Sequence, residues 1–172
     1  MFSCRKFLPL CAAAFLVLFA ACGNNEAKKP EVTKSIDDRF PIKVGDRIVQ
    51  MQIALRGAET QKGLMFVKSM GESEGMLFVF AQPQPMGFWM RNTEIPLDIG
   101  YLDGDGTLRE VYPMYPHDEH SVRSLDNRQF ALEMNLGWFT RSGVKPGAKL
   151  DLGALKDAIR ARGFKPENFG LR

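Results

Sequence analysis

Polar and apolar positions alternate with a period of two along most of the chain, the signature of strands that bury one face. Ile42 and Val44 lead through Gly45-Asp46-Arg47 into Val49, Met51, Ile53 and Leu55, which alternate with Gln50, Gln52 and Ala54, so a hairpin is predicted. Residues 76–80, Met-Leu-Phe-Val-Phe, form a continuous apolar run and read as a strand covered on both sides; Gln82-Pro83-Gln84-Pro85 then argues against helix and central strand alike. Phe88, Met90 and Asn92 alternate with Trp89, Arg91 and Thr93, and residues 95–102 read as a second strand running into the turn Asp103-Gly104-Asp105-Gly106. Residues 107–111 complete that hairpin. Val122-Arg123-Ser124-Leu125 and residues 129–135 flank Asp126-Asn127-Arg128 as a further hairpin, with Phe130, Leu132 and Met134 on one face and Ala131, Glu133 and Asn135 on the other.

Helical signals are few. Thr60 is placed to cap a short helix, or else residues 64–66 form an irregular plug; residues 137–143 fit one helical turn closed by Gly143; residues 154–162 fit an amphipathic helix stopped by Gly163. Seven or eight short strands at roughly ten-residue spacing, with a last one at 149–152, predict a mainly β domain, a single sandwich or small barrel.

Chemistry concentrates in residues 86–106. Asp98 stands among large apolar neighbours, and an isolated buried carboxylate costs several kcal/mol, on the order of its desolvation, so it must meet water or a partner. Arg91 and Asn92 are the nearest candidates. Arg91, Asn92, Thr93, Asp98 and Glu133 grouped around Trp89 would suit a small polar ligand such as a sugar, an amino acid or a peptide end. The same residues also fit a purely structural role, with Asp98–Arg91 and Glu133 as fold-holding pairs and Asn92-Thr93 capping a bend.

The words Gly63-Leu64-Met65, Gly75-Met76-Leu77-Phe78-Val79-Phe80, Phe88-Trp89-Met90-Arg91-Asn92-Thr93 and Ile95-Pro96-Leu97-Asp98-Ile99 occur in order and at short spacing. With Leu132-Glu133 and Gly137-Trp138 after them, they resemble the bacterial and archaeal family known as domain of unknown function 192, over about residues 44–152. The resemblance implies a mainly β barrel or sandwich and no assigned reaction. Where that family often has Glu-Arg ahead of Gly-Leu-Met, this chain has Gln61-Lys62.

Composition adds little to the fold and more to the address. Forty-five per cent apolar and 25% charged residues are ordinary for a globular protein. The formal charge of +3 falls to +1 without Arg5 and Lys6, and no stretch interleaves basic and aromatic residues, so a nucleic-acid partner is not expected. Arg5-Lys6, the apolar residues 7–19 and Ala20-Ala21-Cys22 resemble a bacterial lipoprotein signal. The expected organisation is a signal peptide over 1–21, a polar tether over 22–39 and the mainly β domain over 40–172. Cys22 is then the lone cysteine of the mature chain, available as the lipid acceptor and not for a disulfide. Gly23 after it favours an outer-membrane anchor facing the periplasm, and the domain is expected to be a monomer.

Other chemistry has weaker support. A hydrolase acting on envelope carbohydrate would need Asp98 and Glu133 about 5 to 9.5 Å apart across an open cleft. A periplasmic copper carrier would use Met86 and Met90 or the His117-Asp118-Glu119-His120 loop, but the methionines also fit as core filling and the loop as a solvated turn. Asp103-x-Asp105-Gly106 imitates the start of a calcium loop, yet Met114 stands where the twelfth-position carboxylate belongs. No cofactor and no resident metal are expected.

Overall fold

The structure, a computed structural model, describes Met1 and residues 33–172. The expected signal peptide, the lipid acceptor Cys22 and most of the expected tether lie outside the described residues. The tether's end does not: the Lys34 amide donates to the Ala161 carbonyl at 2.8 Å, and the Gln52 side chain donates to the Ile36 carbonyl at 3.0 Å. Chain bound to the domain therefore begins before residue 40.

Eight strands form the domain: β1 Phe40–Val44, β2 Arg47–Ala54, β3 Glu74–Gln84, β4 Gly87–Phe88, β5 Leu97–Leu102, β6 Leu108–Met114, β7 Val122–Arg123 and β8 Arg128–Asn135. Six make one sheet in the order β1-β2-β3-β8-β5-β6, parallel between β2 and β3 and antiparallel elsewhere; β4 and β7 pair separately. Three helices, α1 Gly57–Lys62, α2 Trp138–Ser142 and α3 Leu152–Ala161, and a 3-10 turn at Pro166–Phe169 complete it. The mainly β expectation holds. The sheet is not a closed barrel, but its edges are joined at one end. Residues 147–151 bond to β1's edge through Gly45 N–H to Lys149 and Asp151 N–H to Lys43, and to β6's edge through Leu150 N–H to Gly106 and Leu108 N–H to Ala148. Among the described residues, no helix is long and apolar enough to cross a membrane.

The sheet has two apolar faces, and side-chain alternation assigns each residue to one of them. Leu77 and Val79 of β3, Phe130, Leu132 and Met134 of β8, and Leu102 of β5 pack against α2, α3 and the 3-10 turn. Met76 and Phe78 of β3, Ala131 of β8, and Leu97, Ile99 and Tyr101 of β5 face the other way, under Leu64, Met86, Met90 and Ile95. Gly100 is small because the first face is crowded there: a Cβ would come 2.7 Å from the Phe139 ring and 2.9 Å from Leu108.

Several local expectations change. Thr60 does not cap α1 but lies inside it; the carboxylate of Glu59 accepts from the amides of Leu55 and Arg56 and closes the helix start. Residues 122–125 pair with β4 rather than folding back on β8. β3 runs on to Gln84, because past Val79 its register slips and its exposed end tolerates Pro83. The stretch 88–93 is a strand only at Gly87–Phe88; a turn follows, closed by Thr93 N–H to the Met90 carbonyl, with Asn92 at φ +56°. Asparagine tolerates that left-handed conformation better than most side chains.

Candidate functional site

Glu133 lies near the middle of β8, opposite Met76 of β3 and Ile99 of β5, so its side chain belongs to the second face. It is 4% exposed, and its Oε2 is fully shielded without a hydrogen-bond partner among the described residues. An unpartnered buried carboxyl is expensive when ionised. Burial accordingly pushes its pKa up to about 8.

Above it opens a cavity of about 310 Å³. Phe78 and Phe80 of β3, Phe88 of β4 and Trp89 form its aromatic walls; α1 and the loop after it contribute Thr60, Gln61, Lys62, Leu64 and Met65, and Gln84 and Thr93 add polar groups. The walls are braced. Phe78 and Phe88 meet edge to face with centroids 4.8 Å apart, and the series continues through Tyr101 and Tyr112 at 6.1 and 6.3 Å. The Tyr101 hydroxyl donates to the Val122 carbonyl at 2.7 Å, tying the β7 segment over the aromatic row. Burial, and secondarily Glu133 and Glu110, holds that phenol above its ordinary range, so it stays neutral.

Of the six residues picked from the sequence, the structure brings Trp89, Thr93 and Glu133 to this cavity. Thr93 is buried, its hydroxyl 3.4 Å from the Arg91 carbonyl, and Trp89 forms a half-open rim. Arg91 stands outside, its guanidinium carbon 4.1 Å above the Trp89 ring and its Nη2 2.6 Å from Glu119. It does not pair with Asp98. Asn92 is exposed and contributes its backbone carbonyl to the Phe66 amide.

Asp98 lies on the opposite face of the sheet. It pairs with Met134 where Ile99 pairs with Glu133, so one residue of register separates the two carboxyls onto different faces. Its Oδ2 accepts from the Gly137 amide at 2.8 Å, at the N-terminal end of α2. Burial raises its pKa, with the Gly137 and Phe139 amides and the charge of Arg141 pulling the other way. Asp98 and Glu133 therefore share no cleft, and the acid–base arrangement a glycoside hydrolase needs does not form between them.

The histidine loop is engaged within itself: Asp118 accepts from the His120 amide and ring, and Glu119 is held by Arg91. Met86 and Met90 are buried in the second core. Among the described residues, no three His, Cys, Asp or Glu side chains gather as a metal site.

Two buried ion networks were not visible in the sequence. Arg128 bonds Glu110 at 2.7 and 2.9 Å, and Glu110 also accepts from the Tyr112 hydroxyl and the Leu125 amide, which fixes the 122–128 segment. Arg162 of the C-terminal region holds Glu59 of α1 at 2.6 Å and bonds the Ile53 carbonyl, fixing the helix that forms one cavity wall. Their partners lie too far apart in the chain for any local signal. The aromatic walls were partly legible, since the apolar run 76–80 marks a strand buried on both sides.

The family model described as DUF192, uncharacterized ACR, matches residues 40–152. A crystal structure of a protein of unknown function from Novosphingobium aromaticivorans is 35% identical, with a TM-score of 0.62, covering 64% of this chain and 83% of that one. Another, from Sinorhizobium meliloti and described as a candidate transcription regulator, is 30% identical, with a TM-score of 0.65, covering 70% of this chain and 96% of that one. No curated protein matches the chain.

Proposed function

This chain belongs to the DUF192 family, and we propose that its domain binds a small polar ligand in the cavity above Glu133. One observation carries the reading: Glu133, a buried carboxyl with no hydrogen-bond partner among the described residues, lines an open cavity with aromatic walls. Buried polar groups are almost always satisfied by protein or ordered water, and an exception in a concave site is what a ligand would complete. The position of the carboxyl, braced by strands on both sides, makes the site preformed.

The leader places this binding domain in the cell envelope in our reading. The basic Arg5-Lys6, the apolar stretch after them and Ala20-Ala21-Cys22 support lipidation at Cys22, with the domain held at the outer membrane and facing the periplasm. Replacing Cys22 by serine would then release the protein from the membrane fraction and abolish labelling by radioactive palmitate.

A thermal-shift screen of the full chain against sugars, amino acids, short peptides and amines tests the binding reading. A ligand that binds only the folded state raises the melting temperature in proportion to its occupancy. Trp89→Ala, which removes a half-exposed rim, is expected to reduce that rise. If no class of small molecule shifts the melting temperature, the reading fails.

A further inference from the structure

We infer that the cavity is a receptor for an organic ammonium cation, its N–H groups donated to the Glu133 carboxylate and its carbon chain held among Phe78, Phe80, Phe88 and Trp89. The inference rests on the reading of this cavity as a ligand site and specifies the ligand's chemistry.

Three observations converge on a cation. First, Glu133 lacks what every other strongly buried charge here possesses. Glu110 has Arg128, Glu59 has Arg162, and Asp98 has the amides at the start of α2. Glu133 forms no ion pair and accepts no hydrogen bond among the described residues, although it is 4% exposed. Second, four aromatic side chains, Phe78, Phe80, Phe88 and Trp89, line the same cavity as Glu133. The faces of such rings attract ammonium groups, and a desolvated site strengthens that attraction. Third, the volume of about 310 Å³ suits a short chain better than a large polyhydroxylated molecule.

Among the charges of the described residues around the site, Lys62 is the one that opposes a cation. α1 brings Lys62 to the cavity wall, exposed and not paired with Glu133. β5 brings Tyr101, kept neutral and tied to Val122, and β6 brings Glu110, locked by Arg128 and Tyr112. β3 contributes Phe78 and Phe80 to this wall and sets Met76 beside Glu133, and the 84–93 segment lines it with uncharged residues, Gln84 to Trp89 and Thr93. Glu133 is therefore the acidic group against which an ammonium would settle. Burial holds its proton on until about pH 8, so a bound cation must displace that proton near neutrality. Affinity for the cation then rises with pH until Glu133 is fully ionised, and binding at pH 7 releases a proton to the buffer.

Calorimetry on the full chain tests this with three probes of similar size: n-butylammonium, n-butanol and butyrate. A charge-assisted bond to a buried carboxylate predicts butylammonium binding roughly ten- to a hundredfold more tightly than butanol. Its apparent binding heat should vary with the ionisation heat of the buffer at pH 7, reporting proton release in wild-type protein without any substitution. In Glu133→Gln the preference for the cation over the alcohol should collapse, and the buffer dependence should vanish. Butanol or butyrate binding as tightly as butylammonium overturns the cation assignment and leaves the cavity a ligand site. An unchanged preference in Glu133→Gln, or no proton release from wild type, overturns it as well. Failure of all three probes to bind or to alter Trp89 fluorescence overturns the ligand site itself.

Discussion

Replacing Glu133 by glutamine is expected to stabilise the ligand-free protein, increasingly so as the pH rises. The carboxyl's ordinary pKa of 4.5 is pushed up to about 8 by burial. Between those values the folded state keeps a proton that the unfolded chain has lost, so stability falls as pH rises through this window. Each pH unit in the window is worth about 1.4 kcal/mol. At pH 7 the carboxyl therefore destabilises the fold by about 3 kcal/mol, and above its folded pKa by about 5 kcal/mol. Glutamine keeps the shape, does not titrate and removes that penalty. Urea unfolding of wild type and variant at pH 5, 7 and 8.5 measures the difference directly, and the contributions of all other titrating groups cancel in it. The gap should be under about 1 kcal/mol at pH 5 and widen steadily above it. A gap that stays constant, or narrows with rising pH, would mean that Glu133 finds a partner or water in the folded state.

Three further outcomes separate fold from site. Asp98→Ala deprives the Gly137 amide of its acceptor and is expected to lower stability by about 1–2 kcal/mol in urea unfolding, with butylammonium affinity unchanged because Asp98 lies on the far face. Arg128→Met removes the cation that balances buried Glu110, leaving it the Tyr112 hydroxyl and the Leu125 amide; thermal unfolding should show a loss of about 3–5 kcal/mol. Gly100→Ala drives a methyl group into Phe139 and Leu108 and is expected to lower stability by about 1–3 kcal/mol in thermal melts followed by circular dichroism.

How much of this was legible beforehand depended on whether each strand has one apolar face or two. In β8, Phe130, Leu132 and Met134 on one side and Ala131 and Glu133 on the other are separated by simple alternation, although the sequence singled out Asp98, not Glu133, as the carboxyl that stands out. β5 is buried along its whole length, so its sequence could not say which way Asp98 points. Only the register against β8, set by tertiary packing, put Asp98 with Met134 and away from Glu133. The stretch 88–93 alternates like a strand, yet the half-exposed Trp89 and the left-handed Asn92 turn it into a rim. Arg91 was expected to serve Asp98 because the two are close in sequence; it reaches Glu119, 28 residues away, instead. The pairing of Glu59 with Arg162 spans 103 residues and leaves no periodic trace at all. Local pattern thus located most of the strands, while long-range pairing decided which polar residues hold the fold and which one faces the cavity.

The account stands on Glu133 being a protonated, unpartnered carboxyl that a ligand can reach. Carbon-13 NMR of the Glu133 side-chain carboxyl, followed through a pH titration with and without butylammonium, observes that group itself. A midpoint near the value of about 8 set by burial, moving down on addition of the amine, is the expected result. A midpoint at the ordinary glutamate value, or one that the amine leaves in place, would contradict it.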